Sequence, residues 1–317
     1  MRATVVGAGV NGCAAAWALR RRGVEVTLVD QFEPGHTRGS SHGRSRIFRL
    51  AYPERHWVEL AEDALAGWRE LEQETGVTLL ELYGLVELCS SVGVSSRDVL
   101  EARGIEHRLL DENELDVLLP DGWIALWQRD AGIVRADLAL DAFRGDLHIE
   151  QRRVDSLDDV DGDVVIVTAG PWAPKLVPDL PVRVTRETVA YFAHEGTPLP
   201  SVVELDETTR HHAMYALHDP LYGLKAGAHH AGPVADPDVA GLPDAALVDQ
   251  ITNWVRERFP HIDPEPVGAE TCVYTTTADE SFILERRGRV VVGSACSGHA
   301  FKFAPAIGKR LADLAIG

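Results

Sequence analysis

Apolar positions along the chain fall into distinct rhythms. Ala3-Thr4-Val5-Val6 is a short run of the kind a buried strand makes. Three glycines follow at Gly7, Gly9 and Gly12, and Cys13 to Arg22 reads as an alanine-rich helix. Val24 to Val29 reads as a second strand ending at Asp30, so the chain opens as a βαβ unit. Residues 31–52 are polar and carry Arg38, Arg44, Arg46 and Arg49, and they read as a long functional loop. Trp57, Leu60, Ala61, Ala64, Leu65, Trp68 and Leu71 then recur at helical spacing over 55–75, and Gly76 is a natural stop.

Further on the periods shorten. Residues 77–163 predict short strands and one helix near Leu138 to Phe143. Val164 to Thr168 is a buried strand followed by Ala169-Gly170-Pro171-Trp172. Residues 183–230 alternate as antiparallel strands do. Ala245 to Phe259 is an amphipathic helix ended by Pro260, Val290 to Val292 a strand, and Pro305 opens the last helix, where its missing N–H costs nothing. The expected fold class is α/β. A Rossmann-type nucleotide domain is expected from residues 1–80, 134–183 and 268–317, and a mostly antiparallel substrate domain from 81–133 and 184–267.

Composition narrows the function. The 317 residues, 45% hydrophobic, suffice for a large core, and a net charge of −18 disfavours nucleic acid and anionic membranes as partners. No apolar run reaches the ~20 residues of a membrane span. Cys13, Cys89, Cys272 and Cys296 are scattered without a CxxC, which fits a reducing cytoplasm. The pairs His211-His212 and His229-His230 are the one hint of a metal, and neighbours on a strand point to opposite faces, so no metal is expected.

The strongest local signal is Gly7-x-Gly9-x-x-Gly12 between a strand and a helix. Gly7 permits the tight turn, Gly9 lets backbone amides approach a pyrophosphate, and Gly12 lets the helix pack on the strand. Asp30 is placed for ribose hydroxyls, which disfavours NADP; the motif alone leaves FAD and NAD open.

Four later blocks bear on that choice. They are Gly39-Ser40-Ser41-His42-Gly43-Arg44-Ser45-Arg46-Ile47-Phe48-Arg49-Leu50-Ala51-Tyr52, then Ile166 to Trp172, then Tyr222-Gly223-Leu224-Lys225-Ala226-Gly227-Ala228-His229, then Cys272 through Lys302. In this order, across nearly the whole chain, they resemble the monomeric sarcosine oxidase and N-methyltryptophan oxidase family of D-amino-acid-oxidase-like flavoproteins. The resemblance implies FAD, joined as a thioether through Cys272, and oxidation of a secondary or cyclic amino acid with dioxygen as the second substrate. It implies that Lys225 activates oxygen, because a fixed positive charge stabilises superoxide. Arg49 and Lys302 would hold the substrate carboxylate, with His229 and Tyr215 in the pocket. Ser41, His42, Arg46, Val154, Gly170, Trp172, Gly298, His299, Phe301 and Lys302 would contact the cofactor. The family habit is a monomer.

Each assignment has a plainer alternative. Cys272 can also be read as a buried structural cysteine, Lys225 as a surface lysine on a strand, and Arg49 as part of a solvated basic run. His42 reads as a loop histidine bonded to its own backbone, and Lys302 as an exposed lysine at a helix start. The chain departs from the family in being shorter between residues 85 and 165 and in lacking a C-terminal tail. Ala300 replaces a usual glycine, and Cys296 stands where an aromatic side chain often lines the pocket. These changes bear on the substrate. Rival readings are an FAD dehydrogenase with another acceptor, an NAD-dependent reductase, and a flavin-binding protein without catalysis.

Overall fold

The computed structural model describes residues 1–91, 95–207, 213–294 and 296–317. Its six-stranded sheet has the order Ile283–Arg287, Val290–Ser294, Val164–Val167, Arg2–Val6, Glu25–Asp30, Ile149–Gln151. Pairing is parallel throughout, apart from the hairpin between the first two. Parallel strands are covered on both faces, which is why Val164–Val167 is continuously apolar and buried. The helices Val10–Arg20 and Ala304–Ile316 cover one face together, through Ala14, Ala15, Ala18, Ile307 and Leu311.

An eight-stranded sheet stands against this layer. Its order is Pro266–Thr277, Val182–Ala193, Gly223–Ala228, Met214–Asp219, Ser201–Leu205, Leu85–Cys89, Ile124–Gln128, His107–Leu110. Two-residue alternation divides its faces. Ala190, Phe192, Leu224 and Ala226 pack on Ile251, Trp254 and Val255 of the helix Ala245–Arg258. Val189, Leu217 and Lys225 point the other way and line a cavity beneath the sheet. A third sheet joins Ser45–Phe48, Gly132–Arg135 and Leu80–Glu81. Among the described residues no helix is long and apolar enough to cross a membrane.

Several sequence expectations need correction. The first helix begins at Val10, three residues early, because Gly12 sits inside its first turn rather than before it. Residues 31–52 contain the strand Ser45–Phe48, hidden by its polar residues. Among its described residues the segment 77–163 holds two α-helices, Arg97–Arg103 and Ala136–Arg144. The large sheet is mostly antiparallel as expected, with Ser201–Leu205 paired in parallel to Leu85–Cys89. The divisions drawn at 183/184 and 267/268 both cut through strands, Val182–Ala193 and Pro266–Thr277, that pair with each other along their length.

Candidate active site

The strand Arg2–Val6 delivers the chain into a turn that admits no side chain at two glycines. Gly7 has φ +103°, and a Cβ there would lie 2.5 Å from the Thr168 carbonyl oxygen. A Cβ on Gly12 would lie 1.8 Å from the Gly7 carbonyl oxygen. Neighbouring side chains brace this turn. The Ala8 N–H donates to Asp30 Oδ2 at 2.7 Å, the Phe32 N–H to Asp30 Oδ1 at 2.9 Å, and the Val10 N–H to Ser41 Oγ at 3.0 Å. Asp30 and Ser41 therefore shape the turn as well as line the cavity.

That cavity, of about 1090 Å³, runs from Gly7 and Gly9 past Cys272 to Lys302. Val154, Gly170 and Trp172 line it near the glycine turn. Trp172 donates its indole N–H to Asp238 at 2.7 Å and packs edge-on against Phe32. The end bearing the helix N-terminus and Asp30 suits a pyrophosphate and a ribose. Farther along, in the middle of the cavity, His42 Nδ1 is buried without a hydrogen-bond partner. A flavin dinucleotide fits this combination of long cavity, open amide turn and unpaired acceptor.

The middle of the cavity gathers Cys272, His42, Arg46 and Lys225. Arg46 donates to the carbonyls of Ser40, His42 and Ser45 at 2.8, 2.6 and 2.8 Å, which fixes the loop around its guanidinium. His42 Nε2 lies 2.9 Å from the Thr271 carbonyl. Burial, then the charges of Arg46 and Lys225, push His42 down to about 4, so the ring is neutral, with Nε2–H donating. His42 thus bonds across to the large sheet rather than to its own loop. Lys225 is 6% exposed, which removes the surface reading, and its Nζ lies 3.5 Å from the Ser45 carbonyl. Burial and then Arg46 lower it to about 7. Burial pushes the Cys272 thiol up to about 11, against the pull of Arg46 and Lys225.

Arg49 and Lys302 meet around Tyr52. The Arg49 guanidinium lies 4.3 Å from the Tyr52 ring centroid and Lys302 Nζ 5.7 Å from it. Lys302 is only 7% exposed, in the single turn Ala300–Phe303 that precedes the last helix, and donates to the His299 carbonyl at 3.0 Å. Burial lowers its pKa, with Tyr52 opposing and Arg49 adding to the shift. The Tyr52 side chain is buried beside both cations. Burial raises its pKa, and Lys302 and Arg49 more than offset that, leaving it lowered. Sequence reasoning gave Tyr52 no role, although its position three residues after Arg49 was in view. It also missed Glu87, whose Oε1 lies 3.4 Å from Arg49.

His229 and Tyr215 line the same half, their rings edge to face at 6.5 Å. Burial, followed by neighbouring cationic groups, holds His229 well below its ordinary value. Gly298 (φ +71°) allows the chain to pass flat against it, because a Cβ there would stand 2.3 Å from His229 Cε1. His299 packs among Trp57, Phe282 and Phe303, while Phe301 stacks on Trp68. These two build the wall that carries Lys302.

The geometric reason for setting aside the histidine pair fails here. The strand ends at Ala228 and His230 has φ +58°, so the two rings lie 4.0 Å apart instead of on opposite faces. Ligand atoms of His229, His230 and Glu280 fall within 4.8 Å of one another. Lys302 and Arg49 act on the same histidine and oppose a dication there. The pair His211-His212 lies outside the described residues.

Comparison with known proteins gives the family. The chain matches the family described as FAD dependent oxidoreductase (DAO) over residues 2–314. It is 31% identical to the peroxisomal sarcosine oxidase of Mus musculus, with 99% of this chain and 92% of that protein covered. It is 28% identical to the N-methyl-L-tryptophan oxidase of Salmonella newport, with 99% and 94% covered. Among solved structures, NikD, an unusual amino acid oxidase of nikkomycin biosynthesis, superposes with a TM-score of 0.85 at 22% identity, over 99% of this chain and 93% of that one. That likeness shows a shared fold.

Proposed function

Because the chain belongs to the FAD dependent oxidoreductase family, we propose that it is an oxidase of secondary or cyclic amino acids that uses dioxygen as electron acceptor. The observation that carries this reading is the pair of buried cations, Arg49 and Lys302, facing the cavity around Tyr52, with Lys225 on the large sheet above. FAD, when bound, would supply the redox chemistry, a two-electron oxidation at the C–H beside the substrate nitrogen with dioxygen as final acceptor and an imine and hydrogen peroxide as products.

The residues of the chain bind, orient and balance charge. Gly7, Gly9, Gly12 and the N-terminus of the helix Val10–Arg20 hold the pyrophosphate, and Asp30 the ribose. Arg49 offers a carboxylate its two-pronged guanidinium and Lys302 a point charge. Orientation of this kind fixes which C–H faces the cofactor. His229 is neutral, so it accepts or donates a hydrogen bond to the amine without adding charge. Lys225, when protonated, places positive charge where reduced oxygen would develop negative charge. Arg46 and Lys225 help the Cys272 thiol lose its proton, the requirement for thioether attachment of FAD. The names of the relatives, which act on sarcosine and N-methyltryptophan, support N-alkylated amino acids as the substrate class. One chain carries every residue invoked, so a monomer suffices.

The test is stoichiometry in air. Purified protein is incubated with sarcosine, N-methyl-tryptophan, L-proline and L-pipecolate, and amino acid consumed is compared with hydrogen peroxide formed. The proposal expects a ratio of about one for at least one of them. Consumption that needs an added dye and yields no peroxide makes the protein a dehydrogenase. No consumption of any of them removes the proposal.

A further inference from the structure

Arg49 has a partner on the side away from the cavity. Glu87 sits in the strand Leu85–Cys89, among apolar neighbours, with its side chain wholly buried. Its Oε1 lies 3.4 Å from Arg49 and accepts from the Ser96 hydroxyl at 2.7 Å, while Oε2 accepts from the Ser96 N–H at 3.1 Å. Arg49 lines the cavity and Glu87 does not. The carboxylate therefore reaches a substrate only through the guanidinium.

A carboxyl group in an apolar strand is costly unless paired and hydrogen-bonded. Burial raises the Glu87 pKa, opposed by Arg49 and by both donors of Ser96. Among the described residues its partners are donors, the Arg49 guanidinium, the Ser96 N–H and the Ser96 hydroxyl, and of these three the hydroxyl alone can turn and accept. A protonated Glu87 would forfeit that arrangement, so the ionised form is the one the surroundings satisfy.

Arg46, Lys225 and Glu270 line the middle of the cavity beside Cys272, whereas Arg49 and Lys302 meet at the far end around Tyr52. At that end the two cations contribute two positive charges, and Glu87 cancels one of them. One substrate carboxylate with a neutral amine balances what is left there. A second carboxylate at that end would exceed its positive charge.

We propose that Glu87 is a positioning residue that holds Arg49 from behind and sets the net charge of the Arg49–Lys302 end of the site, selecting substrates with a single carboxylate over dicarboxylates. The inference rests on the carboxylate-binding role of Arg49 and Lys302 given above. It reaches past that role by naming a residue that never touches the substrate and a discrimination it enforces.

Two simple anions serve as probes. Holoenzyme is titrated at neutral pH with acetate and with malonate, and the perturbation of the flavin absorbance gives a dissociation constant for each. The wild type is expected to prefer acetate. Glu87→Gln keeps the shape and removes the charge, and it should move the preference toward malonate by about tenfold or more. Ser96→Ala removes one donor to the carboxylate and should move it the same way by less. It also stands in for Glu87→Gln should that variant not fold. A merely structural role would weaken both anions alike and leave their ratio unchanged, and that result in the variants would overturn the inference. If neither anion perturbs the wild-type flavin, the carboxylate clamp itself fails and this inference fails with it. Binding of acetate with an unchanged ratio removes Glu87 alone.

Discussion

The indole N–H of Trp68 donates to the main-chain carbonyl of Lys302 at 2.8 Å. Trp68 is fully buried on the helix Arg55–Thr75, and its ring stacks on Phe301. One side chain thus ties the amphipathic helix to the turn that carries a carboxylate-binding cation. Trp68→Phe keeps much of the packing and strands a buried carbonyl, at a cost of about 1–3 kcal/mol. A lower melting temperature and weaker acetate binding are expected, with flavin still present. Thermal unfolding followed by flavin fluorescence, beside an acetate titration, checks both.

Lys225 gives the clearest pH signature. Its pKa is lowered to about 7 by burial and by Arg46. The ammonium is present below that value and lost as pH rises through it. Reoxidation of reduced enzyme by dioxygen should therefore slow as pH rises through about 7. Lys225→Met should slow reoxidation by about 100-fold and flatten that limb, comparable to removing a single preorganised electrostatic contact. Stopped-flow mixing of reduced enzyme with oxygenated buffer across pH measures it.

Cys272 predicts where the colour goes. Acid precipitation of the wild type should leave yellow in the washed pellet. Cys272→Ser should release it to the supernatant, with FAD still bound before acid. Yellow in the wild-type supernatant would make Cys272 a structural thiol.

At Gly12 the limiting contact is backbone. An added methyl would meet the Gly7 carbonyl oxygen at 1.8 Å and Thr168 Oγ1 at 2.7 Å, and the carbonyl has no rotamer to yield. Gly12→Ala should give protein without bound FAD, destabilised by roughly 3 kcal/mol or more. Absorbance of the purified variant and its denaturation midpoint test this.

What was legible in the sequence was whatever a short stretch demands by itself. Gly7 and Gly12 could be read because the turn they form excludes side chains locally. The buried strand Val164–Val167 and the stripe from Trp57 to Leu71 carry their period in the residues themselves. Glu87 carried no such signal, since its partner is 38 residues away and its own strand is apolar. His229 and His230 were misjudged because alternation holds only while the strand lasts, and it ends at Ala228. Lys302 looked like an opponent of a helix dipole, yet it occupies a separate turn before the helix begins. It is enclosed by Tyr52 and Phe303 and tied down by Trp68, whose convergence no local pattern announces.

Anaerobic reduction tests the reading most directly. Holoenzyme without oxygen is mixed with sarcosine, N-methyl-tryptophan, L-proline and L-pipecolate, and with the matching amines that lack the carboxylate. At least one of the amino acids should bleach the flavin band, its decarboxylated partner should not, and Arg49→Gln should weaken the response. A flavin that no amino acid bleaches, or that the bare amines bleach equally well, would contradict a site built around Arg49 and Lys302.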